Sequence, residues 1–361
     1  MTFDLQSLVR DNIRRLKPYS SARSEFAGAA EVFLDANENA LGSPAGNGYN
    51  RYPDPLQIEL KTKLASMKGV DPAQIFVGNG SDEAIDLLFR IFCEPGRDEV
   101  IIFPPTYGMY RVSADINDVA VREIRLTDEF QLDVAAVLSG VSERTKLIFV
   151  CSPNNPTGNL MRRESVLGIV ERFDGIVVVD EAYIDFASEE SLISELTNLP
   201  NLVVLQTFSK AWGMAGLRVG LAYAGREIID LMNRVKPPYN VSGITQRATT
   251  DALGEQATVV KWIEAVLRQR EVLSSELSRL ALVEKVYPSD ANFVLVKVSD
   301  ATAIYRFLLD EKVVVRDRSS VQLCNGCLRV TVGKPDENHR LIEALKTWRE
   351  GDPPKCLISD N

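Results

Sequence analysis

Short apolar runs alternate with amphipathic stretches up to about residue 250. The runs are rich in β-branched residues, as is typical of buried parallel strands, and they lie at 75–77, 99–103, 147–151, 176–180, 202–206 and 219–223. Between them, 81–94 and 163–173 have the spacing of amphipathic helices. Strands that alternate with helices predict an α/β fold built on a mostly parallel, wound sheet.

After about residue 250 the pattern changes to a long helix, predicted over 259–280, and then to shorter strands and helices. These shorter elements are typical of a smaller α+β domain. We therefore expect four parts: an N-terminal arm (1–30), a large domain (31–255), a small domain joined to it by the long helix (256–349), and a tail (350–361). No low-complexity linker separates the two domains, so we expect them to pack closely.

Composition and charge exclude some classes of partner. The chain of 361 residues has 41 basic and 50 acidic side chains, a net charge of -9 and no prominent basic cluster. We therefore expect neither a nucleic acid nor a membrane surface as partner, and predict small molecules and a second copy of the chain instead. The first 20 residues carry charges throughout and have no continuous apolar core, which argues against a secretory signal or membrane anchor and favours the cytoplasm.

Five cysteines, an odd number in a long chain, do not resemble a disulfide framework, so we expect reduced thiols. Cys324 and Cys327 form a C-x-x-C, which is compatible with a redox pair, with half of a zinc site, or with a turn at 325–326 between two short strands. We favour the turn and predict no metal, because no second cysteine pair has suitable spacing. The single histidine, His339, lies in a polar stretch that reads as the start of a surface helix, which argues against a Ser-His or Cys-His mechanism.

Polar segments follow several predicted strands, at the end of the sheet where ligands bind in open α/β folds. In GNGSDE (78–83), Ser81 or Asp82 could cap the next helix, and the backbone N–H groups there could hold a phosphate. The same residues are also ordinary turn formers. CSPNNPTGN (151–159) offers the side-chain amide of Asn155, or simply forms a rigid turn.

Two further segments carry charged groups. Asp180 lies at the end of a buried strand, where a carboxylate needs a cation, a helix to cap or a structural arginine. Lys210 lies in a glycine-rich, mostly apolar loop, where desolvation lowers an amine pKa and makes it a usable nucleophile; the alternative is a lysine that extends to the surface. Thr207, Ser209 and Arg218 are anion-binding side chains close to it in sequence.

Taken together, these segments suit one ligand. It has a phosphate, an aldehyde for Lys210, a cationic ring nitrogen for Asp180, and a phenolic oxygen within reach of Asn155 and Tyr183. That description is pyridoxal 5'-phosphate, PLP. The predicted phosphate ligands are Gly80, Ser81, Thr207, Ser209 and Arg218.

The string TFSKAWGMAGLRVG at 207–220 resembles the Schiff-base signature of class II, fold-type I aminotransferases, and it follows NNPTG and DEAY in the order of that family. More narrowly, the chain resembles the histidinol-phosphate aminotransferases from about residue 10 to 349. This resemblance rests on LKPYSSAR at 16–23, LDANEN at 34–39, RYPDP at 51–55 and CLRVTVG at 327–333. The tail at 350–361 matches no part of the family.

The resemblance implies a large PLP-binding domain, a small domain, and a ping-pong transfer of an amino group from histidinol phosphate to 2-oxoglutarate in histidine biosynthesis, forming imidazole-acetol phosphate and glutamate. Lys210 would bind the cofactor and then carry a proton as general acid and base. Asp180 would keep the ring nitrogen protonated, and Tyr183 would hydrogen-bond the ring oxygen. The remaining cofactor contacts that it implies are Gly80, Ser81, Asp82, Tyr107, Asn155, Thr207, Ser209, Arg218 and, from the other subunit of a homodimer, Tyr52.

On the substrate side, the resemblance assigns to Arg329 the acidic group of both substrates, which suits the fork of a guanidinium. Tyr19, Asn37 and Arg316 match further substrate positions, with Arg316 a second candidate for the phosphate. An alternative for Tyr19 and Asn37 is an arm that only packs on the body of the protein.

Other functions compete with this one. An aromatic or other amino-acid aminotransferase, or a threonine-phosphate decarboxylase, would keep Lys210 and Asp180 and change the substrate side. A PLP-binding transcriptional regulator would need a DNA-binding domain ahead of the aminotransferase-like part, which begins within about ten residues of Met1, so we expect an enzyme. A secondary activity on aromatic amino acids is a further hypothesis.

Overall fold

The larger sheet has seven strands in the part of the chain that the computed structural model describes, residues 3–19, 32–46 and 48–349. In chain order they are β1 (Ile75–Asn79), β2 (Glu99–Ile102), β3 (Ala120–Glu123), β4 (Thr145–Cys151), β5 (Ile176–Asp180), β6 (Leu202–Thr207) and β7 (Val219–Ala224). Their spatial order is β1-β7-β6-β5-β4-β2-β3. All six predicted runs form strands, and the prediction of a mostly parallel sheet is confirmed.

The strand β7 differs from the prediction of a parallel strand. It pairs antiparallel with both of its neighbours, β1 and β6. The connection from β6 to β7 contains only a short 3-10 turn, Ala215–Leu217, and a parallel return would need a longer crossover. The strand β3 was not predicted, because at the sheet edge its side chains are mostly exposed and it has no apolar run.

Both faces of this sheet are buried, which explains the continuous apolar runs. Alternate residues of a strand enter opposite cores: Val177 and Val179 pack on one side, and Ile176 and Val178 on the other. The first side is covered by α3 (Ile58–Lys68), α6 (Val134–Gly140) and α7 (Arg163–Val170). The second is covered by α1 (Leu5–Leu8), α2 (Asp11–Arg14), α4 (Ser81–Phe92), α5 (Met109–Ile116) and α8 (Arg226–Val235).

A second, antiparallel sheet belongs to the C-terminal part of the chain. After α9 (Gly243–Ala252), the helix α10 (Gln256–Ser278) leads to β8 (Val283–Val286), β9 (Phe293–Val298), β10 (Arg316–Asp317) and β11 (Cys327–Thr331), in the spatial order β10-β11-β9-β8. The helices α11 (Ala301–Asp310) and α12 (Pro335–Thr347) pack on it around a core of its own.

The helix α10 contacts both parts of the molecule. Leu273 and Leu277 are buried in the core of the smaller sheet, whereas Ile263 and Leu267 pack near Tyr183 of the larger domain. The helix begins at Gln256, and the predicted domain boundary at 255/256 stays a prediction. Two predicted segments lie outside the described residues. They are the tail at 350–361 and residues 20–31, where the predicted arm joins the large domain.

The C-x-x-C forms a turn, as we favoured. Cys324 and Cys327 are buried free thiols, and Gly326 between them has a φ of 70°, which glycine adopts without steric cost. Among the described residues, no group of three or more histidine, cysteine and acidic side chains is placed to hold a metal ion. No described helix is both long enough and apolar enough to cross a membrane.

Candidate active site

A cavity of about 600 Å³ lies where the polar segments after β1, β4, β5 and β6 meet the small domain. Its lining includes the predicted residues Gly80, Ser81, Asp82, Tyr107, Asn155, Asp180, Tyr183, Thr207, Ser209, Lys210, Arg218, Arg316 and Arg329. The fold therefore gathers side chains from segments spread over about 250 residues into one place. Apolar and polar surfaces both line the cavity, as is usual for a small-molecule site.

Three predicted residues lie elsewhere in the described chain. Tyr52 is half exposed and stacks on Tyr239, with ring centroids 4.5 Å apart. Tyr19 is 76% exposed, and Asn37 lies in an exposed segment with a φ of 55°. Their functional roles stay predictions, and that of Tyr52 requires a second subunit.

Lys210 follows β6 and is accessible through the cavity. Its Nζ lies 5.4 Å from the centre of the Tyr183 ring. Burial of the amine lowers the pKa of Lys210, the positive charge of Arg329 lowers it further, and the Asp180 carboxylate opposes both effects. More of the amine is therefore unprotonated near neutral pH than in a free lysine, which is what a nucleophilic or proton-accepting amine requires.

Asp180 is the last residue of β5 and is 3% exposed. Its Oδ2 accepts a hydrogen bond of 2.8 Å from the Tyr110 hydroxyl, and its Oδ1 accepts one of 3.1 Å from the backbone N–H of Ala182. Burial raises the pKa of Asp180 to about 6. No described lysine or arginine forms a salt bridge with it, so this buried carboxylate is available to a cationic ligand in the cavity.

Tyr110 is a contact that the sequence did not predict. It lies in α5 and is fully buried, and its ring meets that of Tyr107 edge-on at 5.5 Å. A tyrosine at a buried helix position is equally typical of an ordinary core aromatic, so nothing in the local pattern indicates that its hydroxyl reaches Asp180 on another element.

Asp82 connects two of the predicted cofactor residues. Its Oδ1 accepts a hydrogen bond of 3.1 Å from the Tyr107 hydroxyl, and its Oδ2 lies 3.4 Å from Nη2 of Arg218. Burial raises the pKa of the Tyr107 phenol well above its usual range, so the phenol stays protonated and donates. Asp82 therefore orients an aromatic ring and a guanidinium that both line the cavity.

The start of α4 forms an anion-binding corner. The expectation that Ser81 or Asp82 caps the helix is wrong: they are its first two residues, and Gly80 occupies the cap position with no side-chain cap hydrogen bond. The first N–H groups of the helix therefore lack a capping acceptor, and the helix dipole favours an anion there. A Cβ on Gly80 would lie 2.7 Å from Nη2 of Arg218, so any other residue here would displace this guanidinium from its position at the helix start.

The side chains expected beside that corner come from the β6–β7 connection. The Thr207 hydroxyl donates to the carbonyl of Val219 at 3.2 Å and accepts from the Ser209 N–H at 3.1 Å, which fixes the turn before Lys210. Arg218 has a left-handed φ of 55°, a strained backbone for a non-glycine residue. Hydroxyls, helix N–H groups and a guanidinium thus line one end of the cavity, as a phosphate requires.

Arginines line the opposite side, on the small domain. Arg316 and Arg329 are direct cross-strand partners in β10 and β11. Nη1 of Arg329 donates a 2.5 Å hydrogen bond to Oδ1 of Asn155, and Nδ2 of Asn155 lies 3.5 Å from the Tyr183 hydroxyl. Arg318 also lines the cavity and was not predicted. The alternation of RDR at 316–318 was a signal that could have found it, since residues two apart on a strand share a face.

Comparisons with known proteins identify the family of this chain. A family model described as "Aminotransferase class I and II" matches residues 24–345. A histidinol-phosphate aminotransferase of Cytophaga hutchinsonii is 53% identical over 348 residues, covering 96% of this chain and 100% of that protein. One of Parabacteroides distasonis is 53% identical over 346 residues, covering 96% and 99%.

Two solved structures show the same fold. The histidinol-phosphate aminotransferase of Sinorhizobium meliloti in complex with pyridoxal-5'-phosphate has a TM-score of 0.77 at 25% identity, covering 86% of this chain and 89% of that one. An L-threonine-O-3-phosphate decarboxylase of Porphyromonas gingivalis has a TM-score of 0.71 at 26% identity, covering 83% and 90%. The fold therefore does not by itself separate these two activities.

Proposed function

Because the chain belongs to the class I and II aminotransferase family, we propose that it transfers the amino group of histidinol phosphate to 2-oxoglutarate, as a PLP enzyme of histidine biosynthesis. The observation that carries this function is the presence in one cavity of the Lys210 amine and of Asp180, a buried carboxylate that forms no salt bridge with a described lysine or arginine. A protonated pyridine nitrogen is the counterion that such a carboxylate lacks.

The residues fit the cofactor at both ends. The start of α4, with Arg218 beside it, suits the phosphate, and Asp180 suits the ring nitrogen. Tyr107, which also lines the cavity, would contact the ring, and Tyr183 and Asn155, whose hydroxyl and Nδ2 lie 3.5 Å apart, would hydrogen-bond the ring oxygen. When bound, PLP supplies an electron sink for the carbon that carries the amino group.

The protein side of the reaction is proton transfer. The Nζ of Lys210 removes the proton from the carbon that carries the substrate amino group and later returns a proton, as general base and acid. Its lowered pKa keeps part of the amine available for this step. The pKa of Asp180, about 6, keeps that carboxylate ionised at neutral pH, so it holds the proton on the ring nitrogen.

Both substrates end in an anion, and Arg329, which lines the cavity, is the proposed ligand for either. Its guanidinium can donate hydrogen bonds to a phosphate or to a carboxylate. A ping-pong enzyme that binds both substrates in a single site needs such a group. Its cross-strand partner Arg316 adds a second cation. Tyr19 and Asn37 remain proposed substrate contacts from the N-terminal part of the chain.

The proposed enzyme is a cytoplasmic homodimer in which Tyr52 reaches the partner's cofactor. Supporting this, large apolar side chains are exposed in and around the same segment, at Leu41, Tyr49, Leu56, Ile58 and Ile244. Gln246 in α9 donates to the carbonyl of Asp54 at 2.9 Å, which joins the two stretches into one surface. An apolar surface of this kind is typical of a subunit interface.

An absorption spectrum of the PLP-loaded protein tests the function. Histidinol phosphate should abolish the visible cofactor band, and 2-oxoglutarate should restore it, since the two half-reactions interconvert the aldehyde and amine forms of the cofactor. A band that does not respond to histidinol phosphate would reject the substrate. Release of CO2 from L-threonine phosphate would instead identify a decarboxylase, the activity named for the Porphyromonas gingivalis protein that shares this fold.

A further inference from the structure

Arg318 continues the strand that carries Arg316. Its backbone N–H donates a 2.9 Å hydrogen bond to the carbonyl of Cys327, so the pairing of β10 with β11 extends past Asp317. Residues two apart on an extended strand share a face, and both arginines line the cavity together with Arg329. Three guanidinium groups therefore lie along one wall.

The Arg318 side chain has no partner in the described part of the protein. It forms no hydrogen bond or salt bridge there, and its Nε is buried and unpaired. Burial lowers the pKa of Arg318, and the charge of Arg316 lowers it further. The adjacent carboxylate of Asp317 is engaged by Thr302 and Ser319 instead.

A half-buried guanidinium without a counterion is costly, so its environment favours an anion in the cavity. The fork of Arg329 is already partly occupied, because Nη1 donates to Asn155. Arg318 lies close enough to Tyr183, which also lines the cavity, for its charge to oppose the rise in the pKa of that phenol. The Arg318 side chain is therefore available to an anion in the cavity.

We propose that Arg318 binds the phosphate of the amine substrate and selects a phosphate monoester over a carboxylate. A phosphate dianion carries more charge and one more acceptor oxygen than a carboxylate, so it gains more from a third guanidinium than a carboxylate does. This inference rests on the proposed function, because histidinol phosphate supplies the dianion and 2-oxoglutarate supplies carboxylates.

The test compares Arg318→Gln with the wild-type holoenzyme. We expect the KM for histidinol phosphate to rise about 10- to 100-fold, the range for losing a hydrogen bond between charged groups, while the KM for 2-oxoglutarate changes less than about 3-fold. The preference for histidinol phosphate over histidinol should fall by the same factor. Arg318→Lys, which keeps the charge, should recover part of the loss.

A binding measurement separates recognition from turnover. Calorimetric titration of histidinol phosphate into protein loaded with pyridoxamine 5'-phosphate detects binding alone, since two amines do not react, and Arg318→Gln should weaken it by the same factor. Arg306→Gln is the matched control, because Arg306 is an exposed arginine of the small domain outside the cavity lining. It should leave every constant unchanged.

Two results would overturn this role. One is that Arg318→Gln weakens the binding of both substrates equally, and the other is that it leaves the affinity for histidinol phosphate unchanged. Failure of the proposed function is a different result, since the wild-type protein itself would then neither bind nor convert histidinol phosphate, and both proposals would fall.

Discussion

The Tyr110 hydroxyl donates a 2.8 Å hydrogen bond to the Asp180 carboxylate at the floor of the cavity. Tyr110 is fully buried, and its ring stacks on Phe149 with centroids 4.9 Å apart, so the hydroxyl is held in place by packing on β4. The bond stabilises the ionised form of Asp180 and partly offsets the effect of burial on its pKa. Tyr110 therefore has a positioning role: it holds the Asp180 carboxylate, which would pair with the ring nitrogen of the cofactor.

Replacing Tyr110 by phenylalanine should therefore raise the pKa of Asp180 above about 6. The affinity for PLP should fall as the pH drops through the pKa of Asp180, and the midpoint of this fall should lie at higher pH in Tyr110→Phe. Fluorescence titration of PLP across pH 5 to 8 measures both midpoints. Tyr223→Phe is a matched control because the buried Tyr223 hydroxyl has no hydrogen-bond partner among the described residues. Coincident curves for Tyr110→Phe and Tyr223→Phe would contradict the role.

The burial of Asp180 also has a cost to stability without cofactor. Its pKa is raised from 3.8 to about 6 on folding, so the folded protein binds this proton more tightly than the unfolded chain. The protonated Asp180 carboxyl therefore adds to the free energy of unfolding. This contribution is full below the unfolded pKa of 3.8 and is lost as the pH rises through about 6, and its total is on the order of 2 to 3 kcal/mol.

Urea unfolding of cofactor-free protein tests this linkage. At pH 8, Asp180→Asn should be more stable than the wild-type protein, and the difference should shrink as the pH is lowered towards 4, because the wild-type carboxyl becomes neutral. The same variant should lose about 10²-fold or more in kcat, since a neutral amide cannot hold the ring nitrogen protonated. A constant stability difference across this pH range would refute the assignment.

Gly80→Ala should disrupt the anion-binding corner. Its φ of 73° disfavours any side chain, and the new Cβ would lie 2.7 Å from Nη2 of Arg218. We expect a loss of about 1 to 2 kcal/mol in unfolding free energy and a PLP dissociation constant at least about tenfold higher. Gly254→Ala, with no atom within 4 Å of the added Cβ, should change neither quantity.

Lys210 should be the lysine that PLP modifies, although it is not the only lysine with a lowered pKa. Burial brings the pKa of both Lys61 and Lys236 to about 8. Lys236, however, donates to three backbone carbonyls and to Asn240, and neither lysine lines the cavity. Location in the cavity, rather than pKa alone, therefore decides which amine reacts.

Borohydride reduction of the PLP-loaded protein followed by peptide mapping checks this selectivity. The added cofactor mass should appear on the peptide that contains Lys210 and not on those with Lys61 or Lys236. Lys210→Arg keeps the charge but cannot react, and it should lose the label and at least about 10³-fold in kcat. Labelling of another lysine in the wild-type protein would contradict the assignment.

The local pattern of apolar and polar residues determined much of the fold and of the candidate site. The apolar runs predicted six strands, and β5 begins and ends at the predicted residues, because a strand buried on both faces has to be apolar throughout. The polar residues after those strands indicated the cavity and PLP, since a single ligand imposes several chemical requirements at once. The resemblance of the strings around Asp180 and Lys210 to a known family indicated an aminotransferase.

Only the tertiary structure decided which groups meet. The direction of β7, the hydrogen bond from Tyr110 to Asp180, and the unpartnered Arg318 beside Arg316 and Arg329 all depend on contacts between elements distant in sequence. Hydrophobic periodicity reports whether a side chain is buried, but not what it is buried against. A buried tyrosine and an alternating arginine therefore acquire their roles from the packing of elements around one cavity.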